Sequence, residues 1–197
     1  RKNPVNTEGN MGGHDDKRAQ ILETRRVFSG KFLEIDLVDL SLPNGARASL
    51  EIIRHPGAAA VAPLRPDGTV VLIRQYREAA GGYILEVPAG KLDPGEEPET
   101  CARREVIEEV GLAAGTLHPL GPILTTPGFT DERIWLYAAT DLTPASQALE
   151  EDEVIEIMEM PLSEALERIP AGEITDSKTI ATLLRVDQEL RAGRLRI

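Results

Sequence analysis

Residues 90–112 read GKLDPGEEPETCARREVIEEVGL and place three carboxylates, Glu105, Glu108 and Glu109, on one predicted helix. With about 3.6 residues per turn, these side chains cover an arc of roughly 100° on one side of that helix. Like charges three and four residues apart repel, so an isolated helix disfavours this arrangement. Bound Mg²⁺ or Mn²⁺ would explain the cluster, because hard divalent cations take oxygen ligands. The stretch therefore predicts metal-assisted chemistry on a substrate that contains phosphate.

The flanks of the glutamate cluster predict a helix that packs on a sheet. Pro98 suits the first turn of a helix, and Gly111 suits the position just after its last turn. Ala102, Val106 and Val110 form an apolar stripe beside the glutamates. One side of the helix is therefore expected to pack on a sheet, while the adjoining side faces a cleft.

Short runs elsewhere in the chain predict the strands: Ala58–Pro63, Thr69–Gln75, Tyr83–Pro88, Ile134–Ala139 and Val154–Met160. The turn Arg65-Pro66-Asp67-Gly68 predicts that the first two runs form a hairpin. Helices are predicted from Ser163 to Arg168, with Ser163 as the cap, and from Ser177 to Ala192. Strands with helices before, between and after them predict an α/β layered sandwich.

The N-terminal part of the chain divides into a polar arm and a small β-rich unit. Residues 1–18 are polar and predict a flexible arm. From Val27 to Leu40 apolar and polar residues alternate, with a break at Ser29-Gly30, and Pro43-Asn44-Gly45 predicts a hairpin turn. His55-Pro56-Gly57 interrupts the pattern. We therefore predict a β-rich unit over residues 19–56 and a main domain over residues 57–197.

Composition and charge narrow the classes of function. The formal net charge of −11 disfavours general nucleic-acid binding, which needs a basic surface. No run of about 18 apolar residues is present, so no membrane span is expected. The single cysteine, Cys101, excludes an internal disulfide and fits a reducing cytoplasm.

The stretch from Gly90 to Leu112 matches the signature of the Nudix hydrolase superfamily. Gly90, five residues, Glu96, seven residues and then R-E-V-x-E-E-x-G-L from residue 104 follow that signature without a departure. Chance agreement at all nine constrained positions is expected about once in 10⁹ start sites. The chain thus resembles Nudix hydrolases. The resemblance implies an α/β/α sandwich with a mixed sheet, which follows the small N-terminal β-rich unit in the chain.

The resemblance also implies a metal site. Glu105 and Glu109 correspond to the main ligands of a divalent cation, and Glu108 to an additional or water-bridged ligand. The backbone carbonyl of Ala89 corresponds to a further ligand. Gly90 would let this loop approach the metal closely, where no side chain would fit. The implied cofactor is Mg²⁺ or Mn²⁺, with two or more ions per site.

The remaining catalytic roles also come from the resemblance. Glu96 and Arg104 resemble the family's supporting pair, in which the arginine orients the carboxylates. A general base is still required. Either the signature helix supplies it or, as in related ADP-ribose hydrolases, a glutamate on a mobile loop does. Glu153, in the acidic run over residues 150–153, aligns best with that role.

Segments outside the signature resemble ADP-ribose pyrophosphatases. Pro127 lies fifteen residues after Leu112, as in that subfamily, and residues 126–132 (TPGFTDE), 74–77 (RQYR) and 85–90 (LEVPAG) are also similar to it. The resemblance implies hydrolysis of ADP-ribose to AMP and ribose 5-phosphate. Another nucleoside diphosphate sugar, such as GDP-mannose, is the nearest alternative. A non-catalytic Nudix-like sensor is an alternative from another class, but it is expected to lack a metal-binding glutamate.

Substrate contacts and a partner subunit complete the expectations. Arg77 is predicted to bind the diphosphate, because a guanidinium group matches phosphate oxygens. Arg74 either shares this task or faces outward in a surface ion pair. Candidates for ribose or adenine contacts are Glu51, Tyr76, Phe129 and Glu132, of which Tyr76 and Phe129 can stack on a base. Related enzymes are homodimers that exchange an N-terminal β unit, which implies a homodimer here; a monomer with its hairpin folded on itself would have the same pattern.

Overall fold

The computed structural model describes residues 18–149 and 154–197, and this part of the chain contains ten β-strands and three α-helices. The strands are β1 (Gln20–Ser29), β2 (Glu34–Ser41), β3 (Arg47–Arg54), β4 (Ala58–Pro63), β5 (Thr69–Arg77), β6 (Gly82–Glu86), β7 (Ala89–Lys91), β8 (Leu112–Leu124), β9 (Arg133–Pro144) and β10 (Ile155–Pro161). The helices are α1 (Pro98–Val110), α2 (Leu162–Arg168) and α3 (Ser177–Arg191). None of these helices is long and apolar enough to cross a membrane.

Two sheets form the main body of the protein. One has the strand order β7-β4-β9-β8 and is mixed, because β4 runs parallel to β9 while the other pairs are antiparallel. The second sheet is antiparallel and has the order β10-β5-β6. The mixed sheet places β7, the short strand just before the signature helix, beside β4.

Strand β4 explains why helices cover both faces of the mixed sheet. Successive side chains of a strand point to opposite faces. Ala59 and Val61 pack in an apolar cluster with residues of α1, whereas Ala60 and Ala62 pack in a second cluster with residues of α3. All four side chains are fully buried. The predicted α/β/α sandwich with a mixed sheet is therefore confirmed.

Helix α1 begins and ends where the sequence predicts. Pro98 is its first residue, and Gly111 follows its last residue with a φ of +64°, a conformation that favours glycine. The Gly111 N–H donates to the Ile107 carbonyl at 3.0 Å. Ala102 and Val106 are fully buried on the side that packs against the sheet, which confirms the apolar stripe.

The predicted hairpin between the first two strands of the main domain is wrong. The turn itself forms, since the Gly68 N–H donates to the Arg65 carbonyl at 3.0 Å and Leu64 makes a single bridge to Val70. Beyond that bridge, β4 and β5 enter different sheets. Strands β7 and β9 occupy the two edges of β4, so β5 pairs with β6 and β10 instead.

Strand β8 and helix α2 also differ from the expectations. The sequence pattern does not predict β8, because glycines and prolines interrupt it, including a bulge between Pro119 and Gly121. These residues are tolerated because β8 is an edge strand. Helix α2 begins at Leu162 rather than after a Ser163 cap, and Pro161 stands at the cap position. Burial of Leu162 in the core accounts for the earlier start.

The N-terminal strands β1, β2 and β3 form a separate antiparallel sheet, which confirms the predicted β-rich unit. The break at Ser29-Gly30 is present between β1 and β2, and Gly45 in the following turn has a φ of +85°. This sheet joins the main body through Ile53, whose N–H donates to the Phe129 carbonyl at 2.8 Å. The domain boundary at residue 56 stays a prediction, and the predicted arm over residues 1–18 lies outside the described residues except for Arg18.

Candidate active site

The loop before α1 contacts the glutamates of α1 directly. Pairing of residues 89–91 with β4 fixes this loop against the mixed sheet. The Ala89 N–H donates to Oε2 of Glu109 at 2.8 Å. A Cβ atom added to Gly90 would lie 1.7 Å from Oε1 of Glu105. Only glycine therefore fits at position 90 while the Glu105 carboxylate occupies its place.

Arg104 donates hydrogen bonds to a carboxylate before α1 and to two carboxylates of α1. Its Nε and Nη2 donate to the two oxygens of Glu96, both at 3.0 Å, which is a bidentate pair. Its Nη1 donates to Glu105 at 2.6 Å and to Glu108 at 2.9 Å, and Nη2 also donates to the Lys91 carbonyl at 3.1 Å. The hydrogen bond with Glu96 is the main cause that raises the pKa of Arg104 and lowers the pKa of Glu96. Arg104 thus holds the loop and the helix together.

The carboxylates of α1 fit a divalent cation in kind and in position. Glu105 is 7% exposed and Glu109 is 1% exposed, whereas Glu108 is more open to the cleft. Burying carboxylates is costly without cationic partners. Among the described residues, no three His, Cys, Asp or Glu side chains already form a metal-binding group. Mg²⁺ nevertheless suits this site, because it binds through one or two carboxylates and completes its shell with water and substrate phosphates.

A cleft of about 700 Å³ collects most of the predicted site residues. It is lined by Tyr76, Arg77, Ala89, Gly90, Arg104, Glu105, Glu108, Glu109 and Glu132. Glu96 lies behind this lining and acts on it through Arg104. The cleft therefore combines the carboxylates of α1, the segment around Gly90, where only glycine fits, and Arg77 from β5.

Other predicted residues do not line this cleft within the described chain. Arg74 lies 3.3 Å from Glu156 and 4.3 Å from the centre of the Tyr83 ring, the arrangement of a surface ion pair. Glu51 and Phe129 are exposed and lie outside the lining. Their substrate contacts stay predictions. Glu153, the predicted base, falls outside the described residues.

Two charged residues in this region, Glu86 and Lys178, are not predicted from the sequence. Arg77 Nε donates to Glu86 at 2.8 Å, and the ammonium of Lys178 contacts the other oxygen of the same carboxylate. Lys178 also lies 3.0 Å from Asp176, and it lines the cleft. A charged residue between Leu85 and Val87 in an apolar strand is the signal that could have revealed Glu86. No comparable signal marks Lys178.

A second wall of the cleft contains aromatic and polar side chains. Phe32, which follows β1, meets His55 edge to face with ring centres 6.3 Å apart, and Lys91 lies 4.2 Å above the Phe32 ring. Glu132 accepts a hydrogen bond from Thr125 at 2.8 Å and lies 3.6 Å from His55. This wall offers an aromatic face and hydrogen-bonding groups of the kind that bind a base and a ribose.

The one cysteine packs beneath the loop. Cys101 is fully buried, and its Sγ lies 3.4 Å from the Gly90 carbonyl and 3.5 Å from the Lys91 carbonyl. Burial raises the pKa of the Cys101 thiol to about 12. The side chain is therefore a protonated packing group rather than a nucleophile.

Comparisons with known proteins agree with this geometry. A family model described as the NUDIX domain matches residues 53–183. The chain is 38% identical over 179 residues to an ADP-ribose pyrophosphatase of Bacillus subtilis, covering 89% of this chain and 97% of that protein. It is 41% identical over 163 residues to the methanol dehydrogenase activator of Bacillus methanolicus, covering 82% and 88%. It is 40% identical over 151 residues to a GDP-mannose pyrophosphatase of Cronobacter sakazakii, covering 68% and 78%.

A solved structure described as an ADP compounds hydrolase has the same fold, with a TM-score of 0.79 and 28% sequence identity. The match covers 90% of this chain and 97% of that one. The chain therefore belongs to the Nudix family, as the signature stretch predicts. It is a Nudix hydrolase, a class of enzyme that generally needs divalent metal ions such as Mg²⁺.

Proposed function

We propose that this enzyme hydrolyses ADP-ribose to AMP and ribose 5-phosphate. The observation that carries the proposal is one cleft that combines the buried glutamates of α1, the Ala89-Gly90 loop and Arg77. Its relatives include an ADP-ribose pyrophosphatase and a GDP-mannose pyrophosphatase, which supports nucleoside diphosphate sugars as the substrate class.

The glutamates and the loop would form the metal-binding side of the cleft. Glu105, Glu109 and the Ala89 carbonyl would hold Mg²⁺ or Mn²⁺ at two or more positions, with Glu108 as a further ligand. When bound, these cations neutralise charge on the diphosphate and lower the pKa of the attacking water. Arg104 keeps Glu105 and Glu108 oriented through its Nη1 hydrogen bonds.

Hydrolysis joins water to one phosphorus while the bond from that phosphorus to the bridging oxygen breaks. Arg77 binds the diphosphate oxygens, on which negative charge builds as the bond breaks. Tyr76 and Glu132 line the same cleft and are proposed to contact the nucleoside or the terminal ribose. The proton of the attacking water goes to a general base, for which Glu153 is proposed, with the signature helix as the alternative.

A substrate panel tests this proposal. The full chain is incubated with ADP-ribose, GDP-mannose, ADP-glucose and a dinucleoside polyphosphate, each with Mg²⁺ and with Mn²⁺, and products are separated by chromatography. We expect the highest kcat/KM for ADP-ribose, with AMP and ribose 5-phosphate in equal amounts. A higher kcat/KM for any other substrate would refute the assignment to ADP-ribose.

GDP-mannose is the second candidate, because a GDP-mannose pyrophosphatase is 40% identical over 68% of this chain. The substrate panel separates the two activities directly. A non-catalytic sensor is disfavoured, because each glutamate of the signature is present. A finding of binding without turnover for every compound in the panel would instead support the sensor.

The N-terminal sheet is the proposed dimer interface. Strand β1 is exposed along its length and carries Ile21, Leu22, Val27 and Phe28, each at least 47% exposed. Several exposed large apolar side chains on one strand favour a role of that strand in an interface. Light scattering on the full chain is expected to give twice the monomer mass. A cytoplasmic location is also proposed, from the single cysteine alone.

A further inference from the structure

Glu86 is a buried carboxylate shared by two cations in the cleft. It is 2% exposed at the end of β6. One of its oxygens accepts from Arg77 Nε at 2.8 Å, and the other contacts the ammonium of Lys178. A buried carboxylate is stable only when it is paired and hydrogen-bonded, and here both oxygens have cationic partners.

The three charged side chains come from three different elements. In the ladder between β5 and β6, Glu86 lies opposite Ile73, so its side chain shares a face with Gln75 and Arg77. Lys178 comes from the first turn of α3, more than ninety residues later in the chain. Glu86 of β6 therefore links β5 and α3 through its ion pairs with Arg77 and Lys178.

Each cation keeps donors for a ligand after it has bound Glu86. Arg77 uses its Nε for Glu86, and its side chain is 40% exposed and lines the cleft. An ammonium has three donors, and Glu86 and Asp176 account for two of those of Lys178. Asp176 is itself held, because it accepts from the Thr179 N–H at 2.9 Å as the cap of α3.

We propose that Glu86 is a positioning residue that holds Arg77 and Lys178 together so that both contact the diphosphate of the substrate. This inference rests on the proposed function, since it concerns how the same cleft binds its substrate. Glu86 does not itself bind the substrate, because it is buried, both of its oxygens are occupied, and its charge would repel phosphate. Its effect passes through the two cations.

A simple charge effect and a positioning role of Glu86 predict opposite changes in substrate binding when Glu86 is replaced by a neutral residue. The group formed by Arg77, Lys178, Glu86 and Asp176 is balanced, with two cations and two anions. Glu86→Gln keeps the shape and makes the group net positive, so a simple Coulomb effect would strengthen the binding of an anion. If Glu86 positions the cations, the same change weakens binding, because Arg77 and Lys178 then repel each other and move apart.

The test measures kcat and KM for ADP-ribose in Glu86→Gln. We expect KM to rise about tenfold or more with a smaller change in kcat, since a displacement of about 1 Å can cost 10²-fold. Mn²⁺ affinity, measured by calorimetry, should stay unchanged because α1 is untouched. An unchanged or lower KM, or a loss of Mn²⁺ affinity, would overturn the proposal. Glu159→Gln is the matched control, since Glu159 pairs with Arg65 on the surface and should leave both constants unchanged.

Coupling between the two residues gives a second test. In the double variant Glu86→Gln/Lys178→Met, the rise in KM should be smaller than the product of the two single effects, because Glu86 acts through Lys178. Purely multiplicative effects would overturn the proposal. If Glu86→Gln does not fold, Glu86→Asp replaces it, because aspartate keeps the charge but shortens the reach to Arg77 and Lys178: a rise in KM is expected, and an unchanged KM refutes the role.

Failure of the proposed function gives a different result. If the wild-type protein does not hydrolyse ADP-ribose, the substrate assignment fails, and the positioning role is then tested by binding. Calorimetry with α,β-methylene-ADP as the probe should still show about tenfold weaker binding to Glu86→Gln than to wild type. Equal affinity of the two proteins for this probe would overturn the positioning role.

Discussion

The Cα of Gly90 faces the Glu105 carboxylate so closely that an added Cβ would lie 1.7 Å from Oε1. The signature glycine is therefore required by a side chain fifteen residues further along the chain, rather than by its own backbone conformation. Any larger residue at position 90 must displace the Glu105 carboxylate or the loop, and either change alters the proposed metal site.

Gly90→Ala is expected to lower kcat by about 100-fold or more, because it moves a proposed metal ligand away from its place. Mn²⁺ affinity should fall in parallel, as measured by calorimetry. Gly82→Ala is the matched control, because a Cβ at that position meets no atom within 4 Å. Unchanged Mn²⁺ affinity in Gly90→Ala would contradict the predicted clash.

Glu109→Gln is expected to lower kcat by about 10²- to 10³-fold while the fold stays intact. Glutamine keeps an oxygen that can accept from the Ala89 N–H, so the loop remains in place. The loss comes from the missing negative charge at the proposed metal site. Kinetics and circular dichroism check the two parts of this prediction. Activity close to wild type would remove Glu109 from the metal assignment.

Arg104→Lys is expected to reduce kcat by about 10- to 100-fold, because one ammonium cannot replace a guanidinium that contacts Glu96, Glu105 and Glu108 together. Arg103→Lys is the matched control, because Arg103 contacts Glu99 and the Ala114 carbonyl outside the cleft. Steady-state kinetics of both variants decide the matter. Equal kcat values for the two would show that the Arg104 contacts do not orient the carboxylates.

The Glu96–Arg104 pair predicts a loss of stability in acid. Arg104 holds the pKa of Glu96 below its ordinary value, so the unfolded chain binds this proton more readily than the folded protein. The stabilisation is present in full above the unfolded-state pKa of about 4.3 and is lost as the pH falls through the lower folded-state pKa. The difference in unfolding free energy between wild type and Glu96→Gln should therefore shrink as the pH falls below about 4.3. Urea titrations across this range measure it; a constant difference would contradict the shift.

Cys101 should resist thiol reagents until the protein unfolds. Its side chain is fully buried and its thiol pKa is about 12, so almost no thiolate exists near neutral pH. Reaction with Ellman's reagent at pH 8 should be slow in buffer and complete in concentrated guanidinium chloride. Rapid labelling of the folded enzyme would show that the loop over Cys101 opens.

The predictions from sequence succeed where the cause is local. Helix α1 is bounded by Pro98 and Gly111, whose backbone preferences act within one turn of the helix. The glutamates follow from helical spacing, and the family resemblance supplies their chemistry. Strand pairing is different, because β4 takes β9 as its parallel partner, with Ala60 opposite Leu136. No turn signal near β4 contains that information.

The sequence does not predict the contact between Glu86 and Lys178 for a similar reason, since that contact joins distant parts of the chain. Glu86 and Lys178 are ninety-two residues apart, and although the apolar residues around Glu86 make it conspicuous, no pattern identifies Lys178 as its partner. Their meeting depends on where α3 packs against the sheets, which is decided by apolar residues such as Leu183 and Val186. A sequence pattern can identify the acidic helix and Arg77, whereas the contact between Glu86 and Lys178 follows only from the packed fold.

The packing of α1 and α3 on strand β4 affects how the two sides of the cleft lie relative to each other. Its alanines separate α1, which carries the glutamates, from α3, which carries Lys178. The relative positions of Glu105 and Lys178, which both line the cleft, therefore depend on how closely the two helices pack on β4. A bulkier side chain at Ala60 or Ala62 would move Lys178 relative to Glu105 without contacting the substrate. A substitution in the buried core, at a residue that contacts no substrate, is therefore expected to change the affinity of the cleft for its substrate.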